Sequence, residues 1–483
     1  MKFSRVLLVN PNYSNKFFAK GRAVPRVGLG YIAQVLEESR IKYGVFDVDL
    51  GYSFNDLVKR IRVFRPDLIG ISMMTFRYKQ IYAVAGKLKK IFPDINIVAG
   101  GPHVSTLREK VLEDCASIDY AIVLEGDETI IELCKGKNLK KIKGLLWRNS
   151  YGKVIYNGDR QFIEDLDRIP FPKYGKFELN KYATKTIAII SSRGCPFNCI
   201  YCPVRVAIGR KFRVKSVKNV LNEIRYWYDK GYRNFDFIDD NFTLIRERVE
   251  RLCGLIMEEG LKDLKLSCPN GVRADRVDRD LLIKMKRAGF WHLAFGVESG
   301  SDKILKLMKK GEELEVIEKA IKEACGLGYD VGLFFIFGLP GETAEDINKS
   351  VGLALKYPVN DVKFYPVLPY PNTELFDDIE EKGYFIIPPE EYLNRINPVV
   401  NNPVFETPEL SVMQRKKMFD YLKGVEREVY NRKIRRKFKR FGLAGLIASS
   451  IVSSRPFQYA YIRSGLFNRI IYKIKNKGYM KDE

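Results

Sequence analysis

The stretch Cys195-Pro-Phe-Asn-Cys-Ile-Tyr-Cys202 decides how the rest of this chain is read. Its spacing lets Cys195, Cys199 and Cys202 converge on one small object. Thiolates are the preferred ligands of zinc and of iron–sulfur clusters. Three ligands from one loop, with no fourth close by, leave a coordination position open, whereas a structural zinc site is closed by four. The remaining cysteines, Cys115, Cys134, Cys253, Cys268 and Cys325, fall within helix or strand patterns and read as small buried apolar residues. Of these, Cys268 is expected nearest the site. The apolar run Val6 to Val9 is too short for a signal-peptide core, and no run approaches a membrane span. The expectation is a cytoplasmic protein whose thiols stay reduced, which argues against disulfides.

Working outward, Thr186–Ser192 reads as a buried strand leading into the cysteine loop, with Ile187, Ile189 and Ile190 as its apolar residues. Further strands follow at Arg233–Asp239, Leu264–Cys268, His292–Val297, Tyr329–Phe337 and Asp361–Leu368. Between them lie helical patterns at Val217–Lys230, Arg246–Gly260, Asp280–Ala288, Glu315–Gly326 and Ala344–Tyr357. Six such units over residues 186–385 suit a partial (β/α)6 barrel, whose chemistry sits at the carboxyl ends of the strands. Those ends carry the cysteine loop, then Asp239-Asp240-Asn241, then Asn270 and Arg273, then Gly296-Val-Glu298-Ser-Gly300, then Ile336-Phe-Gly338-Leu-Pro-Gly-Glu342. Singly, each has a plain reading: Asp239 and Asp240 cap a helix, Gly338 to Glu342 is a turn, and Glu298 pairs with a surface lysine. Together, in order after the cysteine loop, they point to one site.

Residues 1–145 also alternate strand and helix, with strands at Arg5–Asn10, Val45–Val48, Leu68–Met73, Ile95–Ala99 and Tyr120–Leu124. That is the pattern of a doubly wound, Rossmann-like α/β sheet, which binds ligands outside the carboxyl ends of its strands. Asn10, Ser72, Thr75, Gly100, Gly101 and Gly126 fall there. Residues 146–185 read as a connector, with a hairpin expected across Trp147–Tyr156.

At these residues the chain resembles the radical S-adenosylmethionine (SAM) superfamily. The segments Pro25-Arg-Val-Gly-Leu-Gly-Tyr31, Ile71-Ser-Met-Met-Thr75, Gly100-Gly-Pro-His103 and Glu125-Gly-Asp-Glu128 resemble the cobalamin-binding domain that precedes the barrel in one subfamily. That subfamily includes class B methyltransferases and anaerobic magnesium-protoporphyrin ester cyclases. The resemblance implies that Cys195, Cys199 and Cys202 hold three irons of a 4Fe-4S cluster, with SAM on the fourth, and that Tyr201 is a family aromatic. It implies SAM contacts for Asp239, Asp240, Asn241, Glu298 and Gly338. It implies cobalamin contacts for Asn10, Ser72, Thr75, Gly100, Gly101, His103, Glu125 and Gly126, with His103 in the nucleotide-tail pocket. The Asp-x-His-x-x-Gly motif that ligates cobalt in many cobalamin domains is missing, and the chain has two histidines, His103 and His292. The implied cobalamin is therefore base-off; the alternative is a domain that keeps the fold without the cofactor. A reductant such as flavodoxin or ferredoxin is the implied electron donor.

The net charge is +24, from 83 Lys+Arg against 59 Asp+Glu. Residues 411–483 hold 19 basic and 5 acidic residues, so +14 of it lies in the last part of the chain. The region 386–483 reads as basic and α-helical. It includes a helix over Lys423–Arg440, an uncharged stretch Phe441–Val452 and an aromatic-basic stretch Arg455–Lys477. Two readings stand level: docking on an anionic membrane surface, which would make the protein peripheral on the inner face, and packing on the barrel. Nucleic acid ranks below both, since no recognisable module appears. The resemblance implies carbon methylation first, then a non-methylating cyclase or bond-forming enzyme acting on a lipid or tetrapyrrole. A methylthiotransferase ranks low, because its N-terminal domain needs three cysteines and only Cys115 and Cys134 are there. A non-catalytic cobalamin sensor or membrane adaptor is the remaining alternative.

Overall fold

The computed structural model describes residues 2–11, 24–395, 402–442 and 449–452. Its first sheet is built from β1 (Arg5–Asn10), β2 (Lys42–Asp47), β3 (Leu68–Ser72), β4 (Asn96–Gly100), β5 (Tyr120–Ile122), β6 (Leu145–Arg148) and β7 (Val154–Tyr156). The order across the sheet is β2-β1-β3-β4-β5-β6-β7. β1 to β5 run parallel, and β6 and β7 are antiparallel. The run Val6 to Val9 is fully buried, as a strand covered on both faces requires. The expected hairpin forms, but it joins this sheet, which therefore runs on to Tyr156 rather than stopping at residue 145. The order reverses at β1, so β1 and β3 diverge into loops on opposite sides and leave a cleft between them. Asn10, Pro11, Arg26, Ser72, Met74, Phe76, Arg77 and Gln80 line it.

The second sheet contains β8 (Thr186–Ile189), β11 (Asn234–Phe237), β12 (Lys265–Val272), β13 (Phe290–Glu298), β14 (Asp330–Phe337) and β15 (Asp361–Pro366). All neighbours are parallel and follow chain order, the arrangement of an open (β/α)6 barrel. Two details differ from expectation. The first strand stops at Ile189, and Ser192–Arg193 (β9) instead pairs antiparallel with Arg213–Val214 (β10), forming a neck under the cysteine loop. β12 runs past Cys268 to Val272 with a register irregularity over Pro269-Asn270-Gly271.

The helix Val412–Phe438 begins with a capping box between Ser411 and Gln414 and lies along the edge strand β15. It buries Phe419, Leu422, Val425 and Val429, each worth about 1.5–3 kcal/mol. Glu426 accepts from the Phe364 amide at 2.8 Å and Lys423 donates to the Phe364 carbonyl at 3.2 Å, so two backbone groups of the edge strand are satisfied. Arg432 and Arg436 donate to the Leu355 and Val359 carbonyls. The inner face of this basic helix thus packs on the barrel. The aromatic-basic stretch Arg455–Lys477 and residues 443–448 lie outside the described residues. Among the described residues no helix is long and apolar enough to cross a membrane.

Candidate active site between two α/β layers

The cysteine loop leaves the β9–β10 neck and is held from several directions. Asn241, just after β11, donates from Nδ2 to Cys195 Sγ at 2.9 Å. Between the cysteines, the Ile200 amide donates to the Met308 carbonyl and its carbonyl accepts from the Leu375 amide, both at 3.1 Å. The Arg273 guanidinium stacks 3.6 Å over the ring of Phe197 and donates to the carbonyls of Lys310 (2.8 Å) and Gly311 (3.0 Å). Among the described residues no three Cys, His, Asp or Glu side chains converge on a single ion. Ligands of an iron–sulfur cube each bind a different iron, so three thiols of one loop, all unpaired and partly exposed, suit three corners of a cube. Burial pushes the Cys202 thiol up to about 12. Cys202 would hold iron as a thiolate, so loading would release the proton that burial favours.

Glu298 ends β13 at an irregular step in its pairing with β14, with φ +66, a strained backbone for a non-glycine residue. Its carboxylate lies 3.3 Å from Lys310 Nζ, and its charge adds to burial in holding the Tyr201 hydroxyl protonated. Lys310 is also 3.3 Å from Glu312, so a buried ammonium is shared by two carboxylates beside the cysteine loop. Nothing near Lys310 in the sequence marks it; only the fold brings it here.

Asp239 is buried, and its Oδ1 accepts from Ser191 at 2.9 Å and from Ser192. Its Oδ2 has no protein partner. A buried carboxylate oxygen without a donor suits the amino group of SAM, whose N–H bonds would supply one. Neighbouring Asp240 is pushed up to about 6 by burial and by the charge of Asp239.

Gly338 has a protein partner on both of its backbone groups. Its N–H donates to Glu342, and its carbonyl accepts from Arg415 Nη1 at 2.8 Å. Arg415 comes from the C-terminal helix and also donates to Leu410 O and Thr407 Oγ1. The turn at Gly338 is thus clasped from 77 residues away.

In the first domain, Asn10 and Ser72 line the β1/β3 cleft as expected. Asn10 Nδ2 is tied to Asp47 (2.7 Å) and Asp49 (3.1 Å). Thr75 is buried. Gly100 accepts from the Met73 amide at 2.8 Å. Gly101 has φ +104, and a Cβ on it would lie 2.8 Å from the Met73 carbonyl, so close approach of two loops demands glycine there. Gly126 precedes the helix Asp127–Cys134. The cleft opens at the strand ends, where Asn10, Ser72 and Gln80 offer polar groups beside Met74 and Phe76, a mixed lining that suits a corrin.

Two expected cobalamin contacts are otherwise engaged. His103 is fully buried, stacked on Tyr78 at 4.5 Å, and paired with the Tyr82 hydroxyl at 3.1 Å. Burial holds it neutral, down to about 3. It belongs to the domain interior, not to a nucleotide-tail pocket. Glu125 Oε1 accepts from Arg193 (3.0 Å) and Arg213 (2.8 Å), and Oε2 from the Ile163 amide (3.0 Å). It joins the two domains instead of facing a cofactor.

Residues 189–354 match the Radical SAM superfamily, and residues 21–134 match the B12 binding domain. An uncharacterized methyltransferase of Pyrococcus horikoshii is 31% identical, the match covering 86% of this chain and 92% of that one. Cytidylyl-2-hydroxyethylphosphonate methyltransferase of Streptomyces wedmorensis is 27% identical over 82% of this chain and 85% of its own. Among solved structures, the radical SAM methyltransferase TsrM from Kitasatospora setae, with cobalamin and a 4Fe-4S cluster bound, aligns with a TM-score of 0.68 at 18% identity, covering 86% of this chain and 85% of that one. With a cysteine loop over a (β/α)6 barrel and an open cleft in the sheet before it, the chain belongs to the radical SAM enzymes that carry a B12-binding domain and use a 4Fe-4S cluster, SAM and cobalamin.

Proposed function

We propose that this enzyme transfers a methyl group to an unactivated carbon of a small molecule. One observation carries the reading: the cofactor-facing edge of the first sheet is locked, through Glu125 and Asp127, onto Arg193 two residues before the first cluster cysteine. That lock sets the corrin side and the cluster side of the molecule against one another, as delivery of a methyl group to a substrate radical needs. The names of both relatives above, each a methyltransferase, support it.

When bound, the cofactors supply a reducing electron, a hydrogen-abstracting radical and a methyl carrier. This chain's own residues do the positioning. Cys195, Cys199 and Cys202 hold three irons, with the Asn241 amide steadying Cys195. Asp239 Oδ2 and Asp240 receive the amine of SAM, and Glu298, fixed by Lys310, faces the same molecule. Arg273 and the Met308 carbonyl keep the loop from shifting. A small one-electron donor protein of the flavodoxin or ferredoxin class supplies the electron. The basic residues beyond 440 offer an anionic membrane surface a second contact. Unchanged liposome binding by a chain ending at residue 442 removes that part.

The test is anaerobic turnover of cluster-loaded, cobalamin-loaded protein with candidate substrates, following S-adenosylhomocysteine and 5′-deoxyadenosine separately. Both products with a methylated substrate support methyl transfer. Deoxyadenosine without S-adenosylhomocysteine selects the non-methylating cyclase or bond-forming reading.

A further inference from the structure

The cysteine loop rises from a narrow neck in which Arg193 faces Arg213 across the β9–β10 pair. A Cβ on Gly194 would lie 2.2 Å from the Lys211 carbonyl, so the two walls of the neck are in contact. Both arginines turn to the first domain. Arg213 meets Glu125 at 2.8 Å; Arg193 meets Glu125 at 3.0 Å and Asp127 at 2.9 Å. The side chains are 3–14% exposed, so these ion pairs lie in a region of low dielectric. The ring of Tyr31 lies 5.2 Å from Arg193 and 5.0 Å from Lys215, and Phe162 lies 4.5 Å from Arg213, which closes the contact to water.

From Glu125 the connection continues toward the cleft. The preceding Leu124 has φ +59, and its amide donates to Ser105 Oγ at 2.9 Å. Ser105 Oγ in turn donates to the carbonyl of Gly101, at the end of β4. Gly101 packs against Met73, which lies between the cleft residues Ser72 and Met74, so a path of hydrogen bonds, one peptide link and ion pairs runs from the strand beside the cleft to the residue before Gly194-Cys195. Buried charge pairs tolerate little displacement, because separating them leaves a charge without its partner in a region that water does not reach.

We infer that filling of the cobalamin cleft and assembly of the cluster are thermodynamically coupled through Glu125, a positioning residue joined to both. Coupling of this kind is reciprocal: whichever group binds first tightens the site of the other. The inference rests on the cofactor content of the family and not on methyl transfer, so it stands or falls without a substrate.

The experiment is a titration of hydroxocobalamin, followed by corrin absorbance under anaerobic conditions, into the full chain with and without reconstituted cluster. Iron per chain is measured on the same samples. The expected result is at least about fivefold tighter cobalamin binding by the cluster-loaded chain. In Glu125→Gln that ratio falls toward one while cobalamin still binds, and in Asp127→Asn it falls part of the way. A merely structural role would weaken both affinities together and leave the ratio alone. Equal affinities in the unsubstituted chain overturn the inference, and that comparison needs no variant to fold. An unchanged ratio in both variants overturns it too. Failure of cobalamin to bind either form overturns it together with the cofactor assignment, whereas failure of methyl transfer leaves it untouched.

Discussion

Glu342→Gln isolates what one buried carboxyl does to this fold. Glu342 is fully buried; its Oε2 accepts from the amides of Gly338 and Leu339, while Oε1 has no partner. Burial raises its carboxyl from 4.5 to about 7. Between those values the unfolded chain has released a proton that the folded chain keeps. The folded state binds more protons, so stability falls as pH rises, and the loss is complete once pH exceeds the folded value. At about 1.4 kcal/mol per pH unit, the gap from 4.5 to about 7 comes to roughly 3 kcal/mol. Glutamine keeps an oxygen for both amides and does not ionise. Urea unfolding of the cluster-free protein at several pH values from 4.5 to 8 reads the difference. The unsubstituted chain should lose roughly 3 kcal/mol more than the variant across that window. Other titrating groups are common to both proteins and cancel. Two parallel stability curves would refute the reasoning, because Glu342 would then ionise as easily folded as unfolded.

Asn241→Ala should leave iron content intact and lower the cluster's reduction potential, since a donor to Cys195 Sγ at 2.9 Å is lost; a redox titration read by electron paramagnetic resonance checks this. Gly101→Ala places a Cβ 2.8 Å from the Met73 carbonyl at φ +104, which should cost about 1–3 kcal/mol and cut corrin retention, measured by unfolding and by absorbance. His103→Ala should leave the spectrum of bound cobalamin unchanged, because the ring is sealed between Tyr78 and Tyr82, yet destabilise the chain by about 3 kcal/mol; altered cobalt-ligand bands would show that the ring reaches the cofactor.

Both sheets were legible because parallel strands buried on two faces read as short apolar runs, and helices between them repeat at a different period. Val6 to Val9 and Leu333 to Phe337 are such runs. The cysteine spacing was legible because all three ligands lie within one loop. Roles that depend on distant partners were not. Glu125 stands at a strand end like a ligand contact, and its engagement with Arg213 spans 88 positions. Gly338 sits in a segment that looks open until Arg415 arrives. His103 follows two glycines in a cofactor-like turn, but tyrosines on the preceding helix enclose it. Hydrophobic period places backbones; it does not say which of two polar groups at a strand end has already found its partner. The basic helix Val412–Phe438 shows the same limit, since its lysines and arginines serve the barrel's backbone carbonyls as well as solvent.

The clasp on Gly338 also has a meaning in time. At about 5–20 residues per second, the ribosome adds the 77 residues between Gly338 and Arg415 in roughly 4–15 s. Throughout that interval the emerging chain already carries its three cluster cysteines, while the turn after β14 lacks the guanidinium that fixes it. The turn that closes this end of the barrel therefore takes its final form only after synthesis has passed the last strand, β15. A product truncated before Arg415 leaves the Gly338 carbonyl without that donor and the buried Glu342 carboxyl without its neighbouring positive charge.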